Sequence, residues 1–330
     1  MPKQSTPVSY GGQAVIEGVM FGGKHVNVTA VRRKDGEITY LEVPRQDKSW
    51  VRTLRRIPLL RGIISLIDSS AKGSKHLNYA ADAYSEDQMD PEEYAQQKQK
   101  EESKRSLSMV LGVAVVGVLS LIVGKLIFTI VPAMLEGLLF KNLFHNLFLH
   151  TVLEGVIKII LLLVYLWGIS QTPLIKRLFQ YHGAEHKVIT AFENKAELTP
   201  ESVQRFSRLH YRCGSSFIIL TVIIGVIIYS LFPWDGLAER ILQRIILLPL
   251  VIGVSFEFLK FTNNLRDIPV LRYLGYPGLW LQLLTTKEPT LDQLEVSIAS
   301  FNRMRELDAQ LAHASASSAV PEVSPDPVKG

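Results

Sequence analysis

LFHNLFLHTVLEGVIKIILLLVYLWGI, residues 143–169, runs for 27 residues with Glu154 and Lys158 as its only formal charges. A helix rises about 1.5 Å per residue and a bilayer's hydrocarbon core is about 30 Å thick, so about 20 apolar residues span it. This stretch is long enough to cross with some tilt. Three more runs resemble it: Leu107–Val131 and Ile241–Phe261 are long enough, and Ser216–Phe232 is near the lower limit. The expectation is a mainly α, polytopic membrane protein with about four transmembrane helices. Glu154 and Lys158, four apart, are expected to form an ion pair that keeps both charges tolerable in the second span.

Charge outside these runs sets an orientation. Lys98, Lys100, Lys104 and Arg105 precede the first run, and Lys260, Arg266 and Arg272 sit at or beyond the end of the fourth. Between the second and third lie Lys176, Arg177, Lys187, Lys195, Arg205, Arg208 and Arg212, while the other two connections are short and poor in basic residues. By the positive-inside rule both termini and the 170–212 segment are cytoplasmic. The formal net charge of +5 is read as this topology signal, with no basic, aromatic-studded surface for nucleic acid. One cysteine, Cys213, excludes an internal disulfide and fits a reducing compartment. The polar N-terminus lacks an apolar signal-peptide core, so insertion through internal helices is expected.

The flanking segments differ in pattern. Residues 1–50 read as a small β-rich cytoplasmic domain, with Lys34-Asp35-Gly36-Glu37 as a hairpin turn before a strand from Ile38. Residues 51–106 combine a basic amphipathic segment, suited to an anionic membrane surface or to packing on a core, with a charged linker. Residues 107–169 and 213–261 carry the paired spans. Residues 262–311 form a cytoplasmic region whose amphipathic helix starts at a capping box of Thr290 and Gln293 after Pro289. Residues 312–330 are small, polar and proline-rich, and are expected to be disordered.

Chemistry concentrates in 170–212 and at its edge. Tyr181-His182-Gly183-Ala184-Glu185-His186-Lys187 fits H-x-x-E-H, the inverted zincin pattern. On a helix His182 and His186 are one turn apart and can share a metal, with Glu185 placed as general base. A second helix is expected to start at Thr199-Pro200-Glu201 and run to His210-Tyr211-Arg212-Cys213, putting His210 and Cys213 on one side. His182, His186, His210 and Cys213 are therefore candidate ligands for a divalent metal, zinc foremost. The plain alternatives are interfacial histidines with a buried apolar cysteine, or a closed structural zinc site. Glu257, in the fourth span, and Glu193, after the motif, are candidates for an outer shell or a further ligand.

The chain resembles the YqhQ-like family of bacterial multi-pass membrane proteins, labelled predicted metal-dependent enzymes. The resemblance rests on Gly11-Gly12-Gln13-Ala14-Val15-Ile16-Glu17-Gly18-Val19-Met20, Phe179 through Lys187, Arg212-Cys213-Gly214, Pro277-Gly278-Leu279-Trp280-Leu281-Gln282 and Thr285-Thr286-Lys287-Glu288-Pro289. Tyr211 stands where the family usually has proline, and Phe21-Gly22-Gly23-Lys24 stands where it tends to have Met-Arg-Gly-Pro. The resemblance implies a bacterial inner or plasma membrane location and a metal site on the cytoplasmic face. It also implies that Glu17 lies near that site.

Three functions are compatible with this reading. The first is a metal-dependent hydrolase acting on a membrane-associated substrate, a membrane protein or a lipid. The second is a membrane scaffold or assembly factor with a structural zinc. The third is a transporter subunit, which would need a homo-oligomer to build a polar pathway and shows no inverted repeat. The bilayer is a partner in all three.

Overall fold

The computed structural model describes residues 10–45, 49–90, 93, 127–128, 130–140, 142–143, 145–211, 213–265 and 268–317. Most of the expected first span and charged linker, and residues 318–330 of the expected tail, lie outside the described residues.

The β-rich expectation resolves into an antiparallel meander: β1 (Gly11–Val15), β2 (Gly18–Gly22), β3 (Val26–Arg32) and β4 (Ile38–Pro44), in that order. Ile16 and Glu17 form a two-residue turn between β1 and β2, with Glu17 at φ +53°. The expected 34–37 turn joins β3 to β4, and Gly36 takes φ +92° as a left-handed turn position requires. Strand side chains alternate between faces, which gives the sheet two cores. Val19, Phe21, Val28 and Ala30 meet Tyr181, Ala184, Leu294 and Phe301 on one side. Val15 and Val31 meet Ala80 and Ala83 on the other.

The basic segment after Trp50 is not one helix. It divides into α1 (Ser49–Leu54) and α2 (Leu60–Gln88) around Pro58, which has no amide to donate and disfavours helix at Ile57. α2 covers the second face of the sheet, where fully buried His76 Nδ1 lies 2.6 Å from the Thr29 hydroxyl. Burial, with Lys75 as a lesser cause, lowers the His76 pKa below its usual value. The folded state therefore resists protonation while the unfolded chain accepts it. Stability should be full above about pH 6.5 and fall below it by at most about 1.4 kcal/mol per pH unit. His76→Leu should flatten that acid limb in thermal unfolding followed against pH.

Among the described residues four apolar helices follow: α3 (Ile130–Phe140), α4 (Leu147–Ile169), α7 (Ser215–Ser230) and α8 (Gly236–Asn264), with α5 (Pro173–Glu193) and the single-turn α6 (Pro200–Val203) between α4 and α7. Leu147–Ile169 and Ala238–Asn264 are long and apolar enough to cross a membrane; an 18-residue stretch in each has a mean hydropathy of 2.2 and 1.9, with only 22% of it buried. Their outward positions carry large apolar side chains such as Ile160, Trp167, Ile245 and Ile246. α7, the expected third span, has 16 residues and falls short of that length.

The charges inside these helices pair differently from the sequence expectation. Glu154 makes its short ion-pair contacts with Arg240 at 2.5 Å and Arg244 at 2.9 Å on α8, while Lys158 attracts it only at longer range. Arg240 also reaches Glu136 at 2.8 Å, and Glu136 contacts His150. An arginine fork satisfies two carboxylate oxygens at once, which a lysine ammonium does not.

The chain closes with a 3-10 turn (Leu271–Gly275), α9 (Tyr276–Thr285) and α10 (Leu291–Ser317). The capping box is present: Gln293 Oε1 accepts from the Thr290 amide at 3.0 Å, and Thr290 Oγ1 accepts from the Gln293 amide at 3.4 Å. α10 continues to Ser317, past residue 311 where disorder was expected to begin.

Candidate metal centre

α5 carries the H-x-x-E-H motif, with Thr172 before it and Pro173 in its first turn. The two imidazoles project from adjacent turns with ring centroids 4.5 Å apart. Each is held at Nδ1 by a backbone carbonyl: His182 donates to Thr285 O at 2.8 Å, and His186 donates to Arg208 O at 2.6 Å. A carbonyl oxygen only accepts, so Nδ1 carries the proton and Nε2 presents its lone pair. The His182 Nε2 lone pair lies 3.2 Å from Cys213 Sγ. Ligand atoms of His182, His186 and Cys213 all fall within 4.8 Å of one another. Tetrahedral zinc with ordinary Zn–N and Zn–S lengths sets N···S separations of about 3.5 Å, so this donor set fits the ion with small side-chain movement.

Cys213 precedes α7, and the Ser215 amide at the helix start donates to its Sγ at 3.4 Å. His210 does not share a helix with Cys213. α6 stops at Val203, because tertiary donors take the carbonyls that a longer helix would use. Lys187 Nζ takes the carbonyls of Gln204 and Phe206, each at 2.8 Å, and His186 takes that of Arg208. Gln282 Nε2 takes that of His210 at 2.8 Å, while Gln282 Oε1 accepts the His210 amide at 2.8 Å. His210 so lies beside the trio, its ring centroid 5.7 Å from that of His186 and its Nε2 3.7 Å from the Glu193 carboxylate. Its place is next to the three-residue cluster, not within it.

Glu185 is buried and faces the sheet, where the Gly12 amide lies close enough to favour its charged form. Burial raises its pKa above the usual carboxylate value, against the pull of His182, His210 and that amide. Burial also lowers the His186 pKa, which keeps this ring neutral and able to ligate. Gly12 permits the approach: a Cβ there would lie 2.5 Å from the Met20 carbonyl and 3.1 Å from the Glu185 side chain. His182, Glu185, His186, His210 and Cys213 share one cavity of about 330 Å³ with residues 11–14 of β1.

The remaining expected residues are placed apart. Glu17 lies near α5, as the resemblance implied, but its carboxylate grips Arg177 and receives the Tyr181 hydroxyl at 3.3 Å instead of entering the cavity. Glu257 is no partner of the cluster. It pairs with Arg61 and takes the Leu59 amide at 3.2 Å, tying α8 to the start of α2. Several positioning groups were not recognised from the sequence: the Thr285 and Arg208 carbonyls, Gln282, Lys187 and Gly12. A lysine immediately after the motif, on a helix apolar enough to be covered, was a usable signal for Lys187. Backbone carbonyls leave none.

Gly183 makes the anchoring segment fit. A Cβ there would sit 2.1 Å from the Lys287 carbonyl, a backbone atom that cannot swing aside. Gly183→Ala should displace 285–289 and loosen the Thr285 clamp on His182, an outer contact whose loss would weaken any zinc held by the trio about 10–100-fold. Competition with a zinc chelator measures this.

Fold and site together define a mainly helical protein with a small antiparallel sheet seated on a helix that bears a buried His/Cys cluster. The chain belongs to the family described as "Protein of unknown function (DUF1385)", whose model matches residues 57–307. It is 51% identical over 309 residues to "Uncharacterized protein YqhQ" of Bacillus subtilis (strain 168), covering 94% of this chain and 96% of that protein. No solved structure matches the chain.

Proposed function

We propose that this is a membrane-embedded zinc-dependent hydrolase with its site at the cytoplasmic face. The observation that carries the proposal is the convergence of two Nδ1-anchored imidazoles on Cys213 with Glu185 in the same cavity. In this reading α4, α7 and α8 span the membrane along with the expected run 107–131, which lies mostly outside the described residues, and both termini and α5–α6 are cytoplasmic, as the basic residues favour. α7 is about 24 Å long, less than the hydrocarbon thickness, so its N-terminal neighbour Cys213 sits at or just inside the interface. A site at that depth suits a substrate presented from the membrane.

His182, His186 and Cys213 would hold the metal; thiolate and imidazole donors suit zinc better than magnesium or calcium. Three protein ligands are the number found in catalytic zinc sites. The ion would act as a Lewis acid towards a substrate carbonyl. Glu185, beside the Gly12 backbone, takes a proton from the attacking water and returns it to the leaving group.

Glu185→Gln separates this from the structural-zinc alternative, which the proximity of His210 and Glu193 favours as a source of a fourth ligand. In proteoliposomes with fluorescein-labelled casein as probe, the variant should keep one zinc per chain and lose about 10²–10⁴-fold in hydrolysis rate. An unchanged rate contradicts the assignment. Bound zinc with no hydrolysis in either protein, and unfolding on chelation, selects the structural role.

A further inference from the structure

A five-residue pattern occurs twice in the chain, as Ile57-Pro58-Leu59-Leu60-Arg61 and as Ile268-Pro269-Val270-Leu271-Arg272. The backbone repeats with it. Leu59 takes φ +67° and ψ −48°, and Val270 takes φ +71° and ψ −52°. In each copy the fourth residue's amide donates to the proline carbonyl at 2.9 Å, and the arginine amide donates to the isoleucine carbonyl, at 3.0 Å in the first and 3.1 Å in the second. This is the rare γ-turn with positive φ, which a β-branched residue such as Val270 seldom adopts. A helical element follows each hook: α2 from Leu60, and the 3-10 turn from Leu271.

The tips of both hooks are bare. Ile57, Leu59, Leu60, Ile268, Val270 and Leu271 are all exposed, Val270 at 73%. The first hook is fixed to α8, the longer candidate span. A Cβ on Gly253 would lie 3.0 Å from the Leu59 Cβ, and one on Gly62 would lie 2.6 Å from the Phe256 Cβ, so the two glycines let the chains close. Gly253 precedes Phe261, the cytoplasmic end of the apolar run, by eight residues, about 12 Å of helix. With α8 in the membrane, the first tip lies at acyl-chain depth. The second hook follows α8 and leads into α9, whose Gly278 packs on Ser216 at the start of α7. Tyr273, Tyr276 and Trp280 meet edge-on along it, with centroids 4.8 and 6.4 Å apart, and Tyr273 and Trp280 are exposed. Such rings mark a membrane–water boundary.

Charge selects the lipid. Arg55 is taken by Asp68 and Arg61 by Glu257, and Arg272 lies over the Tyr273 ring at 5.4 Å. Arg52 and Arg56, exposed beside the first hook, make no ion pair among the described residues. We infer that the two hooks are lipid-inserting anchors: Leu59–Leu60 and Val270–Leu271 occupy the inner leaflet, and Arg52 and Arg56 bind the headgroups of anionic phospholipids beside the first. Their depth rests on α8 crossing the membrane and is independent of the metal centre. The anchors bear on the site through the elements they start. α2 covers one face of the sheet, and α9 carries Gln282 and Thr285, which hold His210 and His182. A leaflet that seats both hooks therefore holds the braces of the His/Cys cluster at a constant depth.

The test places the photo-crosslinker p-benzoylphenylalanine at Leu60, at Val270, at Ile160 on the exposed side of α4, and at Lys34 in the β3–β4 turn. Each full-length protein is irradiated in nanodiscs of phosphatidylcholine and phosphatidylglycerol in equal amounts, and its adducts are weighed. Lipid adducts should form at Leu60, Val270 and Ile160 and not at Lys34. Phosphatidylglycerol should exceed phosphatidylcholine about fivefold or more among adducts at Leu60, and the double variant Arg52→Gln, Arg56→Gln should bring the two near parity. If the label at Leu60 unfolds the protein, exposed Ile57 carries it instead. Lipid adducts at Ile160 with none at either one of the hooks overturn the inference and leave the spans standing. Adducts at both hooks with none at Ile160 support the anchors and count against the spans. Protein–protein adducts in place of lipid at a hook overturn the inference, because a second copy or a partner then covers it. No phosphatidylglycerol excess in the wild type, or the same excess in the double variant, overturns the headgroup assignment.

Discussion

Replacing His182 with alanine should empty the proposed zinc centre. The wild-type protein, equilibrated with buffered zinc and measured by mass spectrometry, should carry one ion per chain, and His182→Ala essentially none. The variant loses one of three converging donors and with it the Thr285 anchor. The loss should exceed the about 10–100-fold attached to outer-shell changes. Cys213→Ser should act in the same direction, because a hydroxyl is a poorer zinc ligand than a thiolate. Glu257→Gln, remote from the cluster, should leave zinc content unchanged. Zinc affinity should fall with acidity, since every ligand must be deprotonated to bind. Equal and near-zero metal in wild type and His182→Ala would remove both the hydrolytic and the structural-zinc readings.

The second large effect belongs to the helices. Glu154→Leu should destabilise the protein by about 3–5 kcal/mol, because it strands two arginines in a buried site where Glu136 remains as a carboxylate partner for Arg240. Arg240, Arg244 and Glu154 are 3%, 4% and 7% exposed, so water does little to replace the missing partner. Lys158→Met should cost less, as Lys158 attracts Glu154 only at longer range and leaves both arginine contacts in place. Chemical unfolding in detergent, compared between the two variants, tests the pairing. Equal losses would restore the Glu154–Lys158 pair in place of the arginine cluster.

Much of the site was legible because its central part is local. Two histidines four apart on one helix lie on the same side wherever that helix sits, and a carboxylate between them is carried along. The 34–37 hairpin and the Thr290–Gln293 capping box are equally local, and both are present. Contacts that depend on a distant partner were less accessible. Spacing suggested that His210 and Cys213 share a helix, but Lys187, His186 and Gln282 draw the 204–210 carbonyls out of any helical ladder. Glu257 was grouped with the cluster by depth along a helix, whereas Arg61 approaches from α2 and claims it.

Hydrophobic periodicity and charge bias determined the long apolar helices, the sheet and the position of the H-x-x-E-H turn, because each depends on neighbours within a few residues. Tertiary structure alone decided which carbonyls lock the imidazoles, which helix neutralises Glu154, and that the edge of β1 lies against Glu185. Those choices bring together residues 12 and 185, 182 and 285, and 154 and 240. Hydrogen-bond and ion-pair partners so far apart in the chain are selected by burial, since a polar group withdrawn from water must be satisfied by whatever the packing presents.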